Sequence, residues 1–268
     1  MRRVVIVSVV AAIIVFSAVF MVLRSRKPKA ERKNEPVVTG DIKDAQAAYE
    51  RGDLLGSRKL YKDGLESIRD TQELTQVRKR VEEINMKLLF SPVIDECSIS
   101  YVVKPKDVLS KIAKKFNTTV NLIKRSNNLA SNMIRPDQEL KIYTCQFSIA
   151  IDKSQNLLFL KKGEEIFKTY TVATGKDNVT PVGNFKIINK LYDPTWFKAG
   201  AVIPPDSPDN VLGSRWMGFD IKGYGIHGTT EPESIGTHST LGCVRMINEE
   251  AEEVFDIVPI GTEVAIVE

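Results

Sequence analysis

The chain has 268 residues, a formal net charge of +4, 43% hydrophobic and 27% charged residues, three cysteines and two histidines. That length holds one large or several small domains with a core in each. The charge is uneven: residues 1–33 carry eight lysines and arginines against Glu31 alone, a net +7 that leaves −3 for the rest. A mildly acidic body lacks the basic stripe that nucleic acid needs, so no nucleic-acid partner is expected, whereas a basic cluster beside an apolar run suits lipid headgroups.

In chain order, Val4 to Leu23 is apolar except for Ser8 and Ser17. Twenty residues at about 1.5 Å each span roughly 30 Å, the thickness of a bilayer core, which predicts a transmembrane anchor over residues 1–23. A cleaved leader is the competing reading, but no small-residue cleavage site follows Met21-Val22-Leu23-Arg24. Residues 24–40, basic and holding Pro28 and Pro36, read as a disordered linker. Residues 41–92 show helical patterning: Asp44 to Tyr49, then Gly52-Asp53, then Leu55, Leu60 and Leu65, with a third helix from Thr71 to Leu89. The Ala, Tyr and Gly-Asp spacing resembles one tetratricopeptide-type hairpin. A single repeat makes no solenoid, so the region is expected to be a small helical spacer.

Residues 98–144 form a strand at Tyr101-Val102-Val103, a capped helix from Asp107, a second helix from Asn121 to Ser126, and a returning strand at Leu140-Lys141-Ile142-Tyr143. This βααβ order, with Phe116, Ile123, Asn127, Leu129, Ile134, Pro136 and Gln138, resembles the LysM domain, which implies a partner in N-acetylglucosamine-containing glycan. Lys106 and Asp137 stand where that family has glycine, so altered turns are expected. Cys97 and Cys145 flank the two outer strands, which should be antiparallel neighbours. In an oxidising compartment such a pair would close a loop of about fifty residues, for roughly 4 kcal/mol in the chain-entropy picture. Cys243 would then be the odd thiol.

From residue 146 the pattern turns to strands, at Ser148–Asp152, Leu157–Leu160, Ile166–Ala173, Gly183–Asn189 and Gly261–Val267, with one helix from Glu249 to Ile257. Within this part lie Ile226-His227-Gly228-Thr229 and Thr240-Leu241-Gly242-Cys243-Val244-Arg245-Met246. A thiol attacks as thiolate, and a neighbouring base brings that form within reach from a pKa of about 8.5. His227 is the natural partner of Cys243.

These segments, with Thr180-Pro181-Val182-Gly183-Asn184-Phe185, Asp193-Pro194-Thr195-Trp196 and Val211-Leu212-Gly213-Ser214-Arg215-Trp216, resemble the catalytic domain of bacterial L,D-transpeptidases over residues 146–268. The resemblance implies a mainly-β sandwich and a cysteine acyltransferase of the bacterial cell envelope. Its substrate would be peptidoglycan stem peptides, with no cofactor and no metal. Cys243 would attack the carbonyl of the third stem residue and release D-Ala, leaving an acyl-enzyme that passes to an amine as a 3→3 crosslink. His227 would take the thiol proton, oriented by the Gly228 carbonyl, and the amides of Leu241, Gly242 and Cys243 would hold the oxyanion. Arg245 would fix the loop through an acidic residue or meet a substrate carboxylate. Thr240 and Leu241 replace the family's Ser and His, and His238 is the candidate to supply the missing imidazole. Trp196 and Trp216 are candidates for the acceptor groove.

The basic residues Arg24, Arg26, Lys27, Lys29, Arg32 and Lys33 outnumber Arg2 and Arg3, which by the positive-inside rule argues for a cytoplasmic body. The exterior location of peptidoglycan argues the reverse, and an extracytoplasmic catalytic domain is expected. The alternatives are a carboxypeptidase or D-amino-acid exchange enzyme, a catalytically weak wall-binding adaptor, a zinc hydrolase and another cysteine peptidase. Two histidines and Cys243 lack the spacing of a zinc site. Many cysteine peptidases place Cys before His.

Overall fold

The computed structural model describes residues 40–198 and 200–268. The expected anchor, and the linker apart from Gly40, lie outside the described residues. Among the described residues no helix is long and apolar enough to cross a membrane.

Three helices come first: α1 (Gly40–Glu50), α2 (Leu54–Leu65) and α3 (Thr71–Leu89). Asp53 and Asp70 accept the Gly56 and Glu73 amides and start the second and third helices. Ala45 and Ala48 of α1 are buried, and the Ser57 hydroxyl of α2 donates to the Ala45 carbonyl. The third helix is more than a spacer. Its Met86 and Leu89 enter the main core, and Asn85 Nδ2 donates to the Phe167 carbonyl at 3.1 Å. It therefore covers what would otherwise be an open sheet edge.

The next module has β1 (Ser98–Val102), α4 (Leu109–Lys115), α5 (Val120–Ser126) and β2 (Glu139–Tyr143), with β1 and β2 antiparallel from Ser98↔Tyr143 to Val102↔Glu139. Its small core is Val103, Leu109, Ile112, Ala113, Ile123, Leu140 and Ile142. Asn127 ties α5 to β2 by accepting the Lys141 amide and donating to the Lys141 and Ile123 carbonyls. Two expectations are corrected. Lys106 and Asp137 keep left-handed backbone, φ 69° and 66°, so the turns survive the loss of glycine and strain is accepted instead. Asp107 does not cap α4, because its carboxylate is taken by the Lys104 amide and the Tyr101 hydroxyl, which hold its pKa down. Cys97 and Cys145 form a disulfide across 48 residues at the base of the module.

The remaining strands are β3 (Phe147–Asp152), β4 (Leu157–Lys162), β5 (Glu165–Thr171), β6 (Thr174–Gly175), β7 (Gly183–Tyr192), β8 (Trp196–Lys198), β9 (Ala201–Ile203), β10 (Arg215–Phe219), β11 (Gly225–His227), β12 (His238–Thr240), β13 (Val244–Arg245) and β14 (Glu263–Val267), with α6 (Asn248–Ile257) before the last. Eight of them make one curled sheet in the order β13-β11-β10-β7-β14-β3-β4-β5, in place of the expected sandwich of separate sheets. The reason is β7. Its first half pairs with β14 and its second with β10, so this one strand joins both halves. Ile149, Ile151, Leu158, Leu160, Phe167 and Tyr170 from one half share a core with Met217, Phe219, Ile226 and Val244 from the other, closed by Ala251, Val254 and Phe255 of α6.

The glycan-type module is held on this domain by the end of α6. Asp256 receives Asn121 Nδ2 at 2.5 Å and Arg125 at 3.0 Å, and its backbone carbonyl receives the Thr119 hydroxyl. Buried Lys141 donates to the carbonyls of Leu88 and Ser91 at the end of α3.

Candidate active site

Parallel strands β11 and β13 bring the two motifs together, with Ile226↔Val244 and His227↔Arg245 in register. Ile226 and Val244 point into the core. Strand alternation turns His227 and Arg245 to the other face, and Cys243 stands immediately before β13.

His227 is buried at 3% exposure, and its Nδ1 donates to the Gly228 carbonyl at 2.7 Å, which leaves Nε2 with the lone pair. Trp216 lies opposite in register and stacks on the imidazole, ring centres 6.0 Å apart. The Trp216 indole donates to Asn189 Oδ1 at 3.0 Å. Asn189 reaches the indole because it pairs with Gly218, two residues from Trp216 on the same face of the sheet, just before the register shifts at Phe219. Burial lowers the imidazole pKa to about 4, with the nearby Arg245 charge adding to the effect and the carbonyls of Gly228 and Leu212 offsetting part of it.

Cys243 is a free, half-buried thiol that donates to the Gly223 carbonyl at 3.5 Å rather than to His227. Burial pushes it up to about 11, against the pull of a backbone hydrogen bond and of Arg245. The resting site thus holds a neutral thiol and a neutral imidazole. The lowered thiol pKa expected from the sequence is not built into the resting site, so proton transfer has to accompany attack.

Gly242 shapes the turn that presents the thiol. Its φ of 126° and the Tyr224 ring 2.7 Å from where a Cβ would stand exclude a side chain. Thr240 braces this turn: its hydroxyl donates to the Cys243 carbonyl at 2.7 Å and accepts the Gly242 amide at 3.1 Å. The Gly242 amide is therefore occupied, which removes it from the expected oxyanion set. Among the described residues the amides of Leu241 and Cys243 have no acceptor. Leu241 itself is 83% exposed.

Arg245 is buried and donates to Glu231 at 2.5 Å and Ser234 at 2.9 Å, which anchors the loop after His227. His238 does not turn toward the thiol; its ring meets Asn156 and Thr174. Trp196 lies in the β8–β9 hairpin, and Asn210 ties its ends by donating to the carbonyls of Pro194 and Pro204.

Asn248 escapes a reading of the sequence. Its Oδ1 accepts the amides of Ser214 and Thr229 at 3.1 and 2.9 Å, and its Nδ2 donates to the Thr229 carbonyl. A Cβ on either Gly213 or Gly228 would stand 2.2 Å from Asn248 Oδ1, so those glycines exist to admit it. An Asn at a helix start reads as a cap, which hides this second use.

Residues 146–266 match the YkuD family, the L,D-transpeptidase catalytic domain, and residues 101–142 match the LysM domain. YkuD of Bacillus subtilis, provisionally named an L,D-transpeptidase, is 32% identical over 63% of this chain and 98% of its own length. YqjB of the same organism, with the same provisional name, is 42% identical over 44% of this chain and 69% of its own. The catalytic domain of the E. faecium L,D-transpeptidase is 26% identical over 46% of this chain and 97% of that one, with a TM-score of 0.39. With the His227 and Cys243 motifs brought to adjacent strands, and relatives matched over most of their length, the chain belongs to the L,D-transpeptidase family.

Proposed function

We propose that the chain acts outside the cytoplasm as a peptidoglycan L,D-transpeptidase with Cys243 as nucleophile and His227 as general base. The observation that carries this reading is the Nδ1 hydrogen bond to Gly228, which leaves the Nε2 lone pair free on the strand beside the one that follows Cys243. In the first step Nε2 takes the thiol proton as Sγ attacks the carbonyl between the third stem residue and D-Ala. The S–C bond forms, the C–N bond breaks, and the imidazolium returns its proton to the departing amine. The free amides of Leu241 and Cys243 are the donors for the oxyanion. An acceptor amine then attacks the thioester, forms a new C–N bond and releases the thiol. Water or a free D-amino acid as acceptor gives carboxypeptidase action or exchange. Arg245 is assigned to the loop rather than to substrate, since Glu231 and Ser234 occupy its guanidinium.

The LysM module would hold N-acetylglucosamine-containing glycan in the cleft of about 850 Å³ formed by Asp107, Val108 and the segment from Ser131 to Gln138. Residues 1–23 would anchor the enzyme in the membrane, and the local concentration of wall polymer would rise accordingly. The test is intact-mass and product analysis of residues 34–268 with a disaccharide-tetrapeptide, beside Cys243→Ala. Loss of D-Ala with a thioester adduct that vanishes in the variant supports the reading. Glycan binding with neither turnover nor adduct replaces it with a wall-binding adaptor.

A further inference from the structure

We propose that Asn156, Thr174 and His238 form a closed hydrogen-bonded ring that positions the catalytic turn, a role that rests on the transpeptidase reading above. Asn156 and Thr174 are buried at 5% and 0% exposure, and the mechanism uses neither. Three contacts join them: Thr174 Oγ1 to Asn156 Oδ1 at 2.7 Å, Asn156 Nδ2 to His238 Nε2 at 3.3 Å, and His238 Nδ1 to Thr174 Oγ1 at 2.8 Å.

Donor accounting fixes every proton. Asn156 Nδ2 also lies 3.3 Å from the Gly236 carbonyl, which can only accept, so the amide is oriented with its nitrogen on that side. That nitrogen only donates, so His238 Nε2 must accept. The single proton of the Thr174 hydroxyl goes to Asn156 Oδ1, so its oxygen accepts from His238 Nδ1–H. The ring closes only with a neutral imidazole carrying its proton on Nδ1.

Its place in the fold gives the ring its function. β12 runs parallel to β6 with His238↔Thr174 and Thr240↔Gly175 in register, and the register is broken between those two pairs. So short and irregular a ladder holds its strand weakly by backbone alone. Two residues beyond His238, the Thr240 hydroxyl braces the Cys243 turn through the Cys243 carbonyl and the Gly242 amide. On the other side of Thr174, Ala173 exchanges backbone hydrogen bonds with Arg245 at 2.8 and 2.9 Å. The ring therefore locks β12 to the element that also grips the strand leaving Cys243. It acts on the nucleophile from a distance, through Thr240, where the Leu241 side chain offers no hydrogen-bonding group.

The experiment has two arms. In the unmodified enzyme, two-bond 1H–15N NMR of the histidine rings should show His238 as the Nδ1–H tautomer; an Nε2–H tautomer overturns the proposal whatever the activity. In the second arm, His238→Ala should lower kcat for D-Ala release by roughly tenfold, short of the roughly hundredfold that a 1 Å misplacement of a reacting group can cost, with KM within about twofold. His238→Asn restores a donor near the Nδ1 position and should recover most of the loss at unchanged Tm. Wild-type kcat in His238→Ala, or equal defects in the two variants, overturns the proposal. If wild-type enzyme itself releases no D-Ala, the transpeptidase reading fails instead. The rate of iodoacetamide alkylation of Cys243 in the same variants then decides the positioning role, an unchanged rate being the overturning result.

Discussion

The two ends of α6 hold their neighbours by opposite means. At the first residue, Asn248 fastens the loops around His227 with a neutral amide that meets three backbone groups. Near the last, Asp256 gathers the LysM module with a carboxylate that accepts from Asn121 and Arg125 at a partly open seam. The catalytic end keeps its thiol and imidazole uncharged, since ionising either His227 or Cys243 there is costly. The docking end is charged because water still reaches it, so an ion pair can form without full desolvation. Salt should therefore loosen the seam more than the site, while acid reaches the site as His227 takes up a proton.

Each side of this contrast can be broken. The largest effect belongs to the reacting atom: Cys243→Ala should reduce D-Ala release by at least about a thousandfold in a product assay, with glycan binding unchanged. Asn248→Ala leaves the Ser214 and Thr229 amides unpaired beside the site. It should cost about 3 kcal/mol in urea unfolding and lower kcat more than it changes KM. Acid tests the neutral imidazole. The unfolded chain binds a proton at His227 below a pKa of about 6.5, and the folded chain not until about 4, so stability is present above 6.5 and is lost as pH falls through 4. About 3 kcal/mol should disappear across that window, and His227→Gln should flatten the slope in chemical denaturation at a series of pH values. At the other end of the helix, Asp256→Asn should cost about 1 kcal/mol in dilute buffer and less in molar salt, seen as a Tm difference that shrinks with ionic strength. The smallest change is Lys106→Gly, which relieves a left-handed residue and should stabilise the LysM turn by up to about 1 kcal/mol.

Much of the architecture is legible along the chain because it depends on local order. The third helix has the bounds that its periodicity predicts, and β3, β4, β5, β7 and β14 fall within a few residues of the apolar runs. The pairing of Cys97 with Cys145 follows from antiparallel strands that the patterning already indicates. The motif residues His227 and Cys243 also stand out, because imidazoles and thiols are rare in this chain and glycines mark their turns.

What the chain alone does not disclose is set by groups far apart in sequence meeting under burial. Asn156 and His238 are 82 residues apart, and a single sequence carries no sign that one donates to the other. The union of two expected sheets depends on how far β7 extends past Asn189, which alternation does not determine. The protonation of the site is likewise a tertiary property. Residue types and spacing determine that a thiol and an imidazole are present. Only the packed fold buries the imidazole and half-buries the thiol, and that desolvation decides that both rest neutral.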